Sequence, residues 1–439
     1  MGFGTQWIHL EIKIIWRIYG NPTVVRGVFG QRVAKRNMYN YIIAGGGIVG
    51  LATAFALKQK KRDLSIIILE KENALATHQT GRNSGVIHSG VYYKPGSIKA
   101  DLATRGSRSM IEFCREFGIA YEKCGKVIVA TDQRELDYLD VLAERGKMNG
   151  LSIKRIGKDE LNELEPHVNG IAALHVPEAG IVNYREVSEV LANELLKSGV
   201  EIAYNNKVTG IVTESENCLI EATGGIFKAE YLINCAGLNS DILAAKSGIE
   251  LRHRIVPFRG EYYELIPERR YLVKNLIYPV PNPSFPFLGV HFTRMIDGSI
   301  HAGPNAVLSL KREGYEKFSF NASDTWSTIS YPGFWRLVQR HWQDGFREFY
   351  RSISKAEFVK SLQKLIPEIS AEDLIPSPSG IRAQALNPDG SLVDDFLIMY
   401  EGRSIHVCNA PSPAATASLE IGKKISEYAL NLNKLKTVA

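Results

Sequence analysis

Apolar positions along the chain switch between two periods. A short β-branched run, Tyr41 to Ala44, leads into three glycines and then a stretch whose small residues, Gly50, Ala52, Ala54 and Ala56, suit a closely packed helix. A second buried strand, Ser65 to Leu69, ends in Glu70. Helical periodicity returns over Ile98 to Phe117 and Arg134 to Asn149, on either side of a strand at Gly125 to Ala130. Tyr184 to Lys197 predicts an amphipathic helix and Ile202 to Tyr204 a short strand. An antiparallel excursion then runs from Val208 to Ile211 through Cys218 to Phe227, before a buried strand at Tyr231 to Asn234. Residues 254–304 change character: Ile255 to Ile266, Leu272 to Val280, Pro286 to Thr293 and Ser299 to Gly303 read as successive antiparallel strands. A helical segment spans Ser323 to Ile366, and 380–391 reads as a strand and turn with an arginine facing inward. A last strand, Ser404 to Val407, feeds a helix over Ala414 to Tyr428, with Pro413 near its first turn, where its missing N–H costs nothing.

The stretch from Tyr39 to Lys71 carries the strongest chemical signal. Gly45 permits the tight turn, Gly47 lets backbone approach a pyrophosphate, and Gly50 keeps helix and strand close. The helix N-terminus offers free N–H groups to phosphate, and Glu70, twenty positions after Gly50, suits ribose hydroxyls. Strand, glycines, helix, second strand and acid occur in the order a dinucleotide site requires; which dinucleotide is left open by these residues. Cys235-Ala236-Gly237, after a buried strand, forms a second close-approach point. No second GxGxxG follows, so a flavoprotein of this kind takes its electrons from its own substrate.

Length, composition and charge narrow the class. At 439 residues two domains are expected, and 45% apolar with 23% charged residues describe a globular protein. Five cysteines without a CxxC pair fit buried thiols in a reducing compartment. The ten histidines include no HExxH, so no metal site is expected. No run of eighteen apolar residues predicts a membrane span. The net charge of +6 is concentrated at the start, where residues 1–37 carry six basic residues against one acid. The nearly neutral remainder gives no support for nucleic-acid binding. Trp7, Leu10, Ile14 and Ile18 fall at helical spacing, which leaves a dispensable start, a membrane-surface helix and a targeting segment open for residues 1–37.

The runs at 78–97, 255–265, 277–299, 303–315, 380–385 and 409–418 resemble the flavin-dependent D-amino-acid-oxidase/glycine-oxidase superfamily. Within it they are most similar to the L-2-hydroxyglutarate dehydrogenases, over about residues 38–430. The resemblance implies an α/β fold with a Rossmann-like FAD-binding domain built from discontinuous segments (38–95, 178–253 and 375–430). An α+β substrate domain with a mainly antiparallel sheet (96–177 and 254–374) would lie over it. It implies FAD held by Gly45, Gly46, Gly47, Gly50, Glu70 and Lys71, by Thr80, Gly81, Asn83, Ser84 and Gly85, and by Val208, Ala236, Gly237 and Ala414. Arg82 departs from the family run, which more usually carries histidine there. The terminus at Ala414 would stabilise negative charge on a reduced flavin.

Implied with these is oxidation of L-2-hydroxyglutarate to 2-oxoglutarate, by hydride transfer from C2 to flavin N5, with electrons passing to quinone or oxygen. Arg382 resembles the superfamily arginine for the α-carboxylate, and Arg259 is the second candidate clamp. His291 and His88 are the candidate bases, with His291 favoured. Tyr278, Lys274 and Asn305 are the expected helpers for the distal carboxylate. The expected location is cytoplasmic, with peripheral contact at the cytoplasmic membrane left open, as is the oligomeric state. The alternatives are an amino-acid or glycerol-3-phosphate oxidoreductase of the same superfamily, or an FAD-binding protein without turnover.

Overall fold

The computed structural model describes residues 38–281 and 288–436; the expectations for residues 1–37 lie outside them. Tyr39–Ala44 is the central strand of an eight-stranded sheet, paired in parallel with Ile66–Leu69 on one side and Gly225–Asn234 on the other. Glu201–Ala203 extends the Ile66–Leu69 side in parallel. Gly225–Asn234 forks. Its first half pairs antiparallel with Cys218–Ala222, and its last three residues pair in parallel with Ser404–Asn409. The central strands are apolar at nearly every position because helices cover them. Ile48–Lys60 is buried on several sides, between this sheet and the C-terminal helix Ser418–Lys436.

Two glycines set the close contacts. Gly45 has φ of +111°, and a Cβ there would meet the Cys235 carbonyl oxygen at 2.5 Å. A Cβ on Gly50 would lie 2.1 Å from the Gly45 carbonyl oxygen, so the helix can start against the strand only without a side chain there.

The second layer is a nine-stranded sheet, antiparallel at every pairing except Leu276–Pro279 with Lys126–Ala130. Its longest pairing joins Arg254–Leu265 to Leu374–Leu386. Several boundaries differ from the sequence reading. The strand expected from Leu272 starts at Leu276, because Pro267–Leu272 winds into a 3-10 helix. The single helical segment is three helices, Ala322–Ile329, Pro332–Ile353 and Lys355–Gln363. The regular C-terminal helix begins at Ser418 rather than Ala414, after turns that include Ala417 N–H donating to the Pro413 carbonyl. Helix Ile98–Phe117, grouped by sequence with the substrate part, puts Leu102, Met110, Phe113 and Cys114 into the core of the first sheet. Strand Leu374–Leu386, grouped with the cofactor part, belongs to the second sheet.

One buried ion pair ties the layers together. Arg312 donates from Nη1 and Nη2 to Asp241 at 2.6 and 2.9 Å and from Nη1 to the Leu238 carbonyl, with both side chains almost fully enclosed. Arg312→Ala leaves that carboxylate buried without its cation, so urea titration should show a loss of about 3–5 kcal/mol.

Candidate active site

A cavity of about 860 Å³ lies where the two sheets meet. Its floor is the βαβ turn: Gly45, Gly47 and Ile48, with Glu70 and Lys71 at the end of the second strand. Glu70 is 8% exposed, and its two oxygens accept from Gly46 N–H at 2.8 Å and Glu72 N–H at 2.9 Å. The carboxylate is therefore fixed in direction before any ligand arrives. The helix N-cap is Gly47, with no side-chain cap and no acid in the first turn, so no charge within the helix itself offsets its positive end. Thr80 accepts from Ile48 N–H through its hydroxyl, 3.1 Å away, and brings the loop beside that turn.

Thr80, Asn83, Ser84, Val208, Ala236, Gly237 and Ala414 all line the cavity. Gly46, Gly50, Gly81 and Gly85 act behind the wall. A Cβ on Gly81 would lie 2.1 Å from the Ala76 carbonyl oxygen, and one on Gly85 2.9 Å from that of Val182. Lys71 reaches away from the turn: its ammonium sits 2.7 Å from both Glu72 and Glu313 and 2.9 Å from His78 Nε2. Their attraction outweighs its burial and raises its pKa. Arg82 stacks over Tyr315 at 4.2 Å and donates to the Thr77 carbonyl.

At the other end the nine-stranded sheet supplies Gly260, Tyr262, Tyr278, His291, Arg382 and Gln384. His291 is 4% exposed, stacked on Tyr278 with ring centroids 3.9 Å apart. Its Nδ1 lies 2.9 Å from the Gly289 carbonyl. A carbonyl only accepts, so Nδ1 carries the proton and Nε2 keeps its lone pair. Burial, with the charges of Lys126 and Arg382, pushes the His291 pKa down to about 3, against the Gly289 bond that raises it. His88 lines the same cavity, its backbone N–H held by the Thr416 hydroxyl at 3.1 Å. Burial first, then Lys126, also holds its pKa well below the usual value. Both rings are neutral at physiological pH.

Three expected substrate contacts are placed elsewhere. Arg259 donates to the Glu316 and Lys317 carbonyls and to Glu261, at 2.7, 3.0 and 2.9 Å. Asn305 is clasped by the same acid, accepting from Glu261 N–H and donating to its carboxylate. Strand alternation explains this. Residues 259 and 261 share one face, while Gly260 and Tyr262 present the other to the cavity. Arg259 thus found its partner two positions along its own strand. Lys274 is exposed, and its backbone N–H donates to Glu165.

Sequence reading missed Tyr262, Tyr92 and Gln384 on the cavity wall, and Lys126 behind that wall. Lys126 is 1% exposed, with its ammonium 4.1 Å from the Tyr278 ring centroid and 5.3 Å from that of Tyr92. Burial pushes its pKa down to about 7. The available signal was a lysine opening an otherwise apolar buried strand, KVIVA.

The fold and site define a flavoprotein oxidoreductase with its catalytic cavity between a dinucleotide sheet and a substrate sheet. The model of the FAD dependent oxidoreductase family matches residues 40–428, and the chain belongs to that family. It is 50% identical over 394 residues to the L-2-hydroxyglutarate dehydrogenase of Indibacter alkaliphilus, covering 89% of this chain and 99% of that protein. Identity is 47% over 390 residues to the Escherichia coli K12 L-2-hydroxyglutarate dehydrogenase, covering 88% and 92%. The human mitochondrial L-2-hydroxyglutarate dehydrogenase is 44% identical over 426 residues, covering 93% and 92%. Among solved structures, FAD-bound L-alpha-glycerophosphate oxidase from Mycoplasma pneumoniae shares the fold at a TM-score of 0.75 and 23% identity, covering 90% and 95%. Glycine oxidase from Geobacillus kaustophilus does so at 0.68 and 18%, with the same coverage.

The cofactor of the family is FAD, and the residues present fit it. Gly47 faces the cavity with only Thr80 Oγ1 near a would-be Cβ, at 3.4 Å, so backbone is open to a pyrophosphate there. Buried Asn206 Oδ1, Asn409 Oδ1 and Tyr92 Oη make no hydrogen bond within the protein, and all three residues line the cavity. Among the described residues no helix is long and apolar enough to cross a membrane.

Proposed function

We propose that this enzyme oxidises L-2-hydroxyglutarate to 2-oxoglutarate with FAD, and passes the electrons to quinone or oxygen. The observation that carries the reading is a neutral, tautomer-fixed His291 beside the charges of Arg382 and Lys126, in the cavity of a chain half identical to enzymes of that name. FAD, when bound through Gly45, Gly47, Glu70 and the 80–85 loop, supplies the acceptor for the hydride that leaves C2. The chain's own groups bind and deprotonate. Arg382 presents a guanidinium fork to the α-carboxylate, which turns the C2 hydroxyl toward the histidines.

Nε2 of His291 takes the hydroxyl proton as the C–O bond becomes a carbonyl. Burial is the main cause of the depressed imidazole pKa; a dianionic substrate offsets the smaller part owed to Lys126 and Arg382, so its basicity rises as substrate binds. Lys126, behind Tyr92 and Tyr278, supplies positive charge for the distal carboxylate. The relatives with an amino-acid or glycerophosphate substrate share only the fold.

Anaerobic addition of L-2-hydroxyglutarate to the yellow protein should bleach its flavin absorbance, while the D-enantiomer, glycerol 3-phosphate and amino acids leave it intact. Bleaching by one of the others instead would sink the assignment.

A pH profile follows from the same groups. The free-enzyme pKa of His291 is about 3, so kcat/KM should show no imidazole limb near pH 6.5. Lys126 loses its proton above about pH 7, so kcat/KM should fall there, and Lys126→Met should lower the plateau and abolish that limb.

A further inference from the structure

Helix Pro332–Ile353 carries a face that the fold leaves uncovered. Its inward side buries Phe334, Glu348 and Ser352. Its outward side holds Trp335, Trp342, Phe346, Phe349, Tyr350 and Ile353, each between 52% and 66% exposed. The helix kinks at His341, whose φ and ψ are non-helical; after the kink, at 100° per residue, Trp342, Phe346, Phe349, Tyr350 and Ile353 fall on one stripe, with Trp335 exposed before it. Trp326, on the helix before, and Phe318 and Phe320 extend the exposed aromatic surface. Large exposed aromatics in such number mark a docking surface rather than ordinary solvent-facing structure. From Met38 onward the chain has three tryptophans, and all three are here and exposed.

The charges around the stripe indicate what covers it. Arg336, Arg340 and Arg347 are exposed along one flank. The two acids of the helix, Asp344 and Glu348, lie between that flank and the buried side, half-buried and buried. Arg347 pairs with Asp344 at 3.7 Å, and Arg351 holds Glu348 at 2.6 Å. An amphipathic helix with Trp, Phe and Tyr on one face and arginine beside it matches the interface of an anionic bilayer: rings sit at headgroup depth and guanidinium groups meet phosphate. Residues 1–37, with six basic residues against one acid, share the sign of this flank and make a poor cover for it. A second copy meeting it through the same face would likewise bring the same sign.

We propose that the exposed face of helix 332–353, with Trp326, is the surface by which this protein docks on anionic membranes. The docking is peripheral and independent of the substrate assignment. Its test uses the full-length holoenzyme with Trp7→Phe and Trp16→Phe, so that tryptophan emission reports this face alone. Phosphatidylglycerol vesicles containing brominated phosphatidylcholine should quench that emission and float the protein. Vesicles of phosphatidylcholine alone should bind it roughly tenfold or more weakly, as should the charge reversal Arg336→Glu, Arg340→Glu and Arg347→Glu on anionic vesicles.

The triple variant Trp342→Ser, Phe346→Ser and Phe349→Ser should stay in solution while keeping flavin absorbance and turnover with a soluble dye. No quenching of the parent protein on anionic vesicles overturns the proposal, whether or not the variants fold. Equal binding to neutral vesicles overturns it as well. So does a dimer in sedimentation that the aromatic variant dissociates while vesicles remain unbound.

Discussion

Arg382→Ala should lower kcat/KM for L-2-hydroxyglutarate by roughly 30-fold to several-thousand-fold, the equivalent of about 2–5 kcal/mol for truncating one partner of a buried charge pair. Arg382 lies opposite Phe258 on the long antiparallel pairing, half-buried, with its side chain on the cavity wall. Its charge reaches His88, His291, Tyr262 and Tyr278, the groups proposed to surround the substrate. Loss of the guanidinium removes the fork that orients the α-carboxylate, so KM should rise and kcat fall together. Arg382→Lys should recover part of the loss, because a point charge replaces attraction without the planar geometry. Flavin absorbance should persist, since the proposed dinucleotide contacts come from the other sheet. Steady-state kinetics with a flavin count would check this; normal turnover by Arg382→Ala would remove it from the site.

His291→Gln should reduce kcat by about 10²- to 10⁴-fold with little change in KM, the range for loss of a positioned general base. The side chain is enclosed and stacked on Tyr278, and its Nδ1 bond to Gly289 fixes which nitrogen is basic. Glutamine keeps the polar reach but has no proton-accepting nitrogen. His88→Gln is the matched comparison. His88 also lines the cavity, but no side-chain hydrogen bond comparable to the Gly289 contact fixes its tautomer. Rapid anaerobic reduction, followed at the flavin band, separates the chemical step from binding. A larger loss in His88→Gln than in His291→Gln would exchange the two roles.

The parts of this protein that depend on neighbours in sequence were readable from sequence. The turn at Gly45 to Gly47, the small residues of the following helix and the acid at Glu70 lie within one βαβ unit, so spacing alone carries their geometry. Helices Ile98–Phe117 and Tyr184–Lys197 were readable to the residue because each buries one periodic face. What depended on tertiary packing was not. Arg259 and Arg382 lie on adjacent strands one register step apart, Arg382 opposite Phe258 and Arg259 opposite Ile381: one is consumed by Glu261 and two carbonyls, the other lines the cavity. The sequence marks both as arginines on apolar strands, and only strand pairing decides which face meets the site. The lowered pKa of Lys126 likewise comes from packing: Tyr278 and Tyr92 close over it from distant segments and strip its water. The aromatic stripe of helix 332–353 reads in sequence like any core face. Only the packed fold, by turning Phe334 and Glu348 inward, leaves those rings outside.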